Sequence, residues 1–152
     1  MTEKNRVLTG EGLSQQAASI SRGIVKVENL LRNGGDEEIL VKGHPEVCFR
    51  AFNGESLTHS KKTAPGVGER FSAISGVPEY RDGDWRTLAR ALGDEDHTVQ
   101  LDDLLDALVL APTARADDVK LQTLPLEPPV DARGLPMQMV YRSEEELRTG
   151  SG

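Results

Sequence analysis

The clearest chemical pattern in the chain is Asp102-Asp103-Leu104-Leu105-Asp106. Positions four apart share a helix face, so Asp102 and Asp106 present two carboxylates side by side. Hard divalent cations prefer oxygen ligands, and diphosphate-metabolising helical enzymes hold Mg²⁺ with aspartates at this spacing. Such enzymes also need a large helical cavity and a second acidic motif, and 152 residues leave room for neither. The run therefore reads as the solvated face of an amphipathic helix, and no metal or cofactor is expected. Asp102, Asp103 and Asp106 are candidates for contact with a partner instead.

Cys48 is the single cysteine, and His44 lies four residues before it. A cysteine nucleophile needs a depressed pKa and a positioned base. Pro45 and a strand-like pattern separate the two residues, so Cys48 reads as a small packed side chain. His44, His59 and His97 are scattered and offer no zinc-type spacing. Gly66-Val67-Gly68 with Lys61 and Lys62 invites a phosphate-loop reading, but the lysines precede the glycines and no Gly-Lys-Ser/Thr follows. Lys61, Lys62 and Arg70 are left as a basic loop contact for an acidic surface or a nucleic acid. With aromatics at 4% of the chain, base stacking has few platforms.

The elements that position these residues begin with a helix. Leu13, Ala17, Ile20, Ile24, Val27 and Leu31 are spaced to form one apolar stripe. Ser14 suits the N-cap and Asn33-Gly34-Gly35 the stop, giving a helix of about 18–20 residues. Gly23 interrupts it at a cost of roughly 1 kcal/mol against alanine, which suggests either a close backbone approach or a tolerated defect. The stripe serves either the chain's own core, lying on a sheet, or another subunit. Ile20, Ile24, Val27 and Leu31 are its candidate partner-binding residues.

Beyond the helix, Glu38–Lys42 and Val47–Phe52 alternate as short strands that could pair as a hairpin under the first helix. Residues 53–70 are polar and read as a long loop. Asp84 caps a helix from Trp85 to Leu92, stopped by Gly93. A third helix opens at Thr98, buries Val99, Leu101, Leu104, Leu105, Leu108 and Val109, and ends before Pro112. Together they make an acidic helical hairpin over 84–110. Val119–Leu124 and Met137–Arg142 read as strands. Pro125, Pro128, Pro129 and Pro136 make the connection over 125–136 extended and stiff. Ser143 could cap a last helical turn over 144–148 through Glu146.

Fold class is therefore α+β: an N-terminal amphipathic helix, a small mostly antiparallel sheet, a helical hairpin and long loops. One domain is expected over 13–148, between flexible ends at 1–12 and 149–152. Apolar residues make up 37% of the chain, so a thin core is expected. No apolar run is long enough to span a membrane, and residues 1–12 carry no signal-peptide core. A lone cysteine suits a reducing compartment, with the cytoplasm of a cell or of an infected host as the default.

Charge is uneven. Residues 1–76 hold 10 Lys/Arg against 9 Asp/Glu, and residues 77–152 hold 8 against 16, which together give the net −7. An acidic C-terminal half repels phosphate, so general nucleic-acid binding is not expected there. The sequence points to non-enzymatic protein–protein contact, as an adaptor or assembly subunit, with another protein or a second copy as the partner. One alternative is an acidic regulator that docks on a partner's basic, nucleic-acid-binding surface. The other is a small enzyme using Cys48 or the Asp102/Asp106 pair.

Overall fold

The computed structural model describes residues 6–7, 10, 15–34, 40–77, 80, 90, 99–115, 120–132 and 134–147. The chain divides into two units, Met1–Val41 and Lys42–Gly152.

In the first unit, helix α1 spans Gln15–Arg32, within the length the stripe predicts. Ser14 and Leu13 lie outside the described residues. The stop is as the sequence suggests: Gly34 adopts φ +91° and its N–H reaches the Leu31 carbonyl at 3.3 Å. The Asn33 side chain adds a bond to the Asn29 carbonyl at 2.7 Å, and Glu28 pairs with Arg32 one turn on at 2.8 Å. Ile20, Ile24 and Val27 are 56%, 61% and 50% exposed; Leu31 is half-buried. A Cβ at Gly23 would meet nothing within 4 Å among the described residues, so no close approach within them accounts for this glycine.

The second unit holds the core. Helix α2, Pro45–Asn53, replaces the expected second strand and with it the hairpin. Pro45 supplies a helix-ready φ at the first turn, Glu46 suits the positive end of the helix dipole, and Gly54 closes the helix at φ +82°. Cys48 and Phe49 are both fully buried. Neighbours in sequence cannot both face a core from one side of a strand, but they can from a helix.

Helix α3, Ala64–Ser75, begins inside the stretch expected as a loop over 53–70. Thr63 caps it by accepting from the Gly66 N–H at 3.2 Å, and Pro65 stands in its first turn. The loop that remains, residues 54–63, is a strap between α2 and α3. Helix α4, Leu101–Ala114, buries Leu104, Leu105, Leu108 and Val109 as the periodicity requires, while Val99 and Leu101 are exposed. It continues through Pro112 rather than ending before it. The hairpin's other arm, 85–92, lies outside the described residues except for Arg90.

Strands β1, Leu121–Leu124, and β2, Met139–Arg142, pair antiparallel in the register Leu121 with Arg142 to Leu124 with Met139. On the far side of β2, the Val140 N–H donates to the Lys42 carbonyl at 2.7 Å, and Gly43 bridges Val140 in parallel. Leu124–Pro125 is cis. The proline-rich connection folds back on itself rather than running straight. Val130 bridges Pro136, and the Asp131 carboxylate accepts from the Leu135 N–H at 3.0 Å, across a turn with Gly134 at φ +84°. Residues 143–147 are not helical. The Ser143 hydroxyl accepts from the Glu145 N–H, a local turn instead of a capping box. The Leu147 N–H donates to the buried Tyr141 hydroxyl at 3.0 Å.

Cys48 and Phe49 of α2, Ala73 and Ile74 of α3, four side chains of α4 and Tyr141 of β2 form one apolar cluster. Leu105 is fully buried within it. Leu105→Ala should lower unfolding free energy by about 2–5 kcal/mol, through lost transfer energy and a residual cavity. Urea denaturation checks this: the midpoint falls while the slope is unchanged. Gly23→Ala should act oppositely on α1, raising helicity by an amount worth roughly 0.5–1 kcal/mol, read by circular dichroism.

Candidate functional site

The polar chemistry concentrates where the strap crosses α3 and α4. Arg70 sits on the second turn of α3 and is only 3% exposed. A buried guanidinium must have its N–H groups met. Its Nε and Nη2 donate to the two oxygens of Glu46 at 3.2 and 2.7 Å. Its Nη1 donates to the Gly66 carbonyl at 2.8 Å and to the His59 carbonyl at 3.2 Å. The guanidinium also lies over the Phe49 ring, 5.7 Å from its centroid. Arg70 is thus a structural tie between α2, the strap and α3. Its donors are taken up by groups of the same chain, whereas the sequence places it with Lys61 and Lys62 in a basic loop contact.

Lys61 is engaged as well. Its Nζ donates to Asp106 at 2.7 Å and lies 3.9 Å from Asp102. The hydrogen bond to Asp106 holds the ammonium pKa above its ordinary value. The shared helix face expected for Asp102 and Asp106 is present, and a lysine of the same chain is drawn to it. Two groups of candidates, the acidic helix and the basic strap, therefore meet one another. Asp103 and Lys62 are the exposed members. Among the described residues, no group of three or more His, Cys, Asp or Glu side chains is placed to hold a metal ion.

One further cluster has no counterpart in the sequence reading. Glu69 accepts from the Thr58 hydroxyl, from His59 Nδ1 at 2.7 Å and from the His59 N–H at 2.9 Å. These bonds, led by Thr58 and then His59, hold its carboxyl down to about 2 from an ordinary 4.5. Hydroxyl, imidazole and carboxylate are the residue types of a hydrolytic triad. A relay, however, uses opposite ring nitrogens for nucleophile and carboxylate. Here Nδ1 faces both Thr58 and Glu69, and the hydroxyl proton goes directly to the acid. The arrangement fastens the strap. Beside it lies an open cleft of about 340 Å³, lined by Asn53, Glu55, Leu57, Thr58, Glu69 and Ser72 among others.

Cys48 is enclosed, with its thiol directed at the Val140 carbonyl 3.7 Å away. Burial pushes the thiol pKa up, against smaller opposing hydrogen bonds to Thr113 and the His44 backbone. Separately, the Cys48 main-chain N–H donates to the His44 carbonyl at 3.0 Å as α2 begins. A protonated thiol away from solvent is a poor nucleophile.

Fold and site define an α+β protein in which Arg70, Glu46, Glu69, Lys61 and Asp106 tie elements of the same chain together. The chain belongs to the family described as protein of unknown function (DUF429), whose match covers residues 1–129. That match takes in α1 to α4 and β1; β2, with the buried Val140 and Tyr141, follows it. No curated protein and no solved structure matches the chain. Among the described residues, no helix is long and apolar enough to cross a membrane.

Three outcomes test this geometry. Arg70→Lys should destabilise by about 1–3 kcal/mol, because an ammonium cannot reproduce a two-pronged carboxylate contact together with two carbonyl bonds; thermal denaturation reads the loss. Glu69 has a depressed pKa, so its contribution is present above pH 4.5 and is lost as pH falls toward about 2. Glu69→Gln should therefore be less stable than wild type at pH 7 and converge with it at the acid end, in urea midpoints taken across that range. Cys48 should resist a thiol reagent in the native protein and react at once in denaturant.

Proposed function

We propose that this chain is a non-enzymatic interaction component, an adaptor or assembly subunit that docks through α1 onto another protein or a second copy of itself. The observation that supports this reading most is the exposure of Ile20, Ile24 and Val27, at half or more of their surface. Contiguous apolar exposure on a soluble chain marks contact surfaces, and anchors at these spacings suit a helix laid in a groove. Arg22 and Lys26 stand on the opposite side of the helix by periodicity. The one carboxylate beside the ridge, Glu28 one turn beyond Ile24, is paired with Arg32 at 2.8 Å. A reducing, cytoplasmic setting is part of the same proposal and rests on the lone buried thiol, Cys48.

The acidic-regulator reading has less support, since Asp102 and Asp106 lie against Lys61. Nucleic-acid contact through the strap also has less, since Arg70 is buried and Lys61 is paired.

Ile24→Glu is the direct test. Placing an unpaired carboxylate on the ridge should weaken association at least about tenfold, equivalent to about 1.4 kcal/mol, and leave the urea midpoint of the second unit unchanged. Light scattering over a concentration series, with affinity capture alongside, makes the measurement at low and high salt. Apolar docking predicts little salt dependence, whereas an acidic surface on a basic one predicts steep weakening. A wild-type chain that stays monomeric and retains no partner sinks the proposal, as does an Ile24→Glu chain that associates normally.

A further inference from the structure

We draw no further inference here: the strongest candidate, the exposed apolar ridge of α1 formed by Ile20, Ile24 and Val27, carries nothing beyond the function already proposed, because nothing in the structure shows what covers it.

Discussion

A guanidinium taken out of water is the constraint around which the second unit is arranged. Arg70 is buried, and an unpaired charge there would be far too costly to keep. Its donors therefore dictate the position of everything they reach. Glu46 must stand in the first turn of α2 facing α3, which places Phe49, one turn on, beneath the guanidinium. The strap must bring the His59 carbonyl within 3.2 Å. That approach leaves no room at the start of α3: a Cβ at Gly66 would come within 2.0 Å of the Ser60 carbonyl oxygen. Glycine is a poor helix former, but here its missing side chain is what admits the strap. One buried charge thus accounts for a helix face, a loop path and a residue type.

The strap is held from three directions by polar contacts. Glu69 and Arg70 are successive residues of α3 that grip the same segment, one accepting from the His59 N–H and the other donating to the His59 carbonyl. Lys61 then reaches across to α4. Leu57 adds a partly buried apolar contact with the core. A 10-residue loop that contributes so little apolar surface cannot be ordered by burial alone, since each fixed residue costs roughly 1–2 kcal/mol of backbone entropy. Directional bonds to backbone groups and charge-assisted contacts offset that cost.

How much of this was legible in the sequence depends on whether the determinant is local. The end of α1 was legible, because Asn33-Gly34 is a chain-local signal. So were the buried side of α4 and the existence of the two strands, though not their pairing, because periods of 3.6 and 2 are written along the chain. Val47–Phe52 misled because a short apolar run satisfies both periods, and what decided it was Pro45 ahead and Gly54 behind. The start of α3 was masked by Gly66 and Gly68, which lower helix propensity, although Thr63 and Pro65 carried a legible cap. Pro112 stands in the last turn of α4, where an expectation of a helix end gave way to Leu108 and Val109 packing on the same face. The strap's contacts were not legible at all. Nothing local says that Lys61 will meet Asp106, 45 residues on, or that Arg70 will meet Glu46.

That last point bears on how the charge asymmetry should be understood. Counted by halves, the chain looks like a near-neutral body joined to an acidic one, and a net charge of that kind suggests a long-range field toward a partner. The contacts cut across the halves. Lys61 belongs to the first and Asp106 to the second, so their charges largely cancel at 2.7 Å. Pairs this close contribute little potential beyond a Debye length of about 8 Å at physiological salt. The charge left to act at a distance sits on exposed residues such as Asp103 and Glu144–Glu146. The α1 ridge is different in kind, because exposed apolar surface cannot be neutralised by pairing with an opposite charge. Half-exposed isoleucines at Ile20 and Ile24 remain unfavourable in water until another apolar surface meets them. Of the features first suggesting contact with a partner, it is therefore the apolar ridge, rather than the acidic helix, whose physical demand the chain leaves unanswered among its described residues.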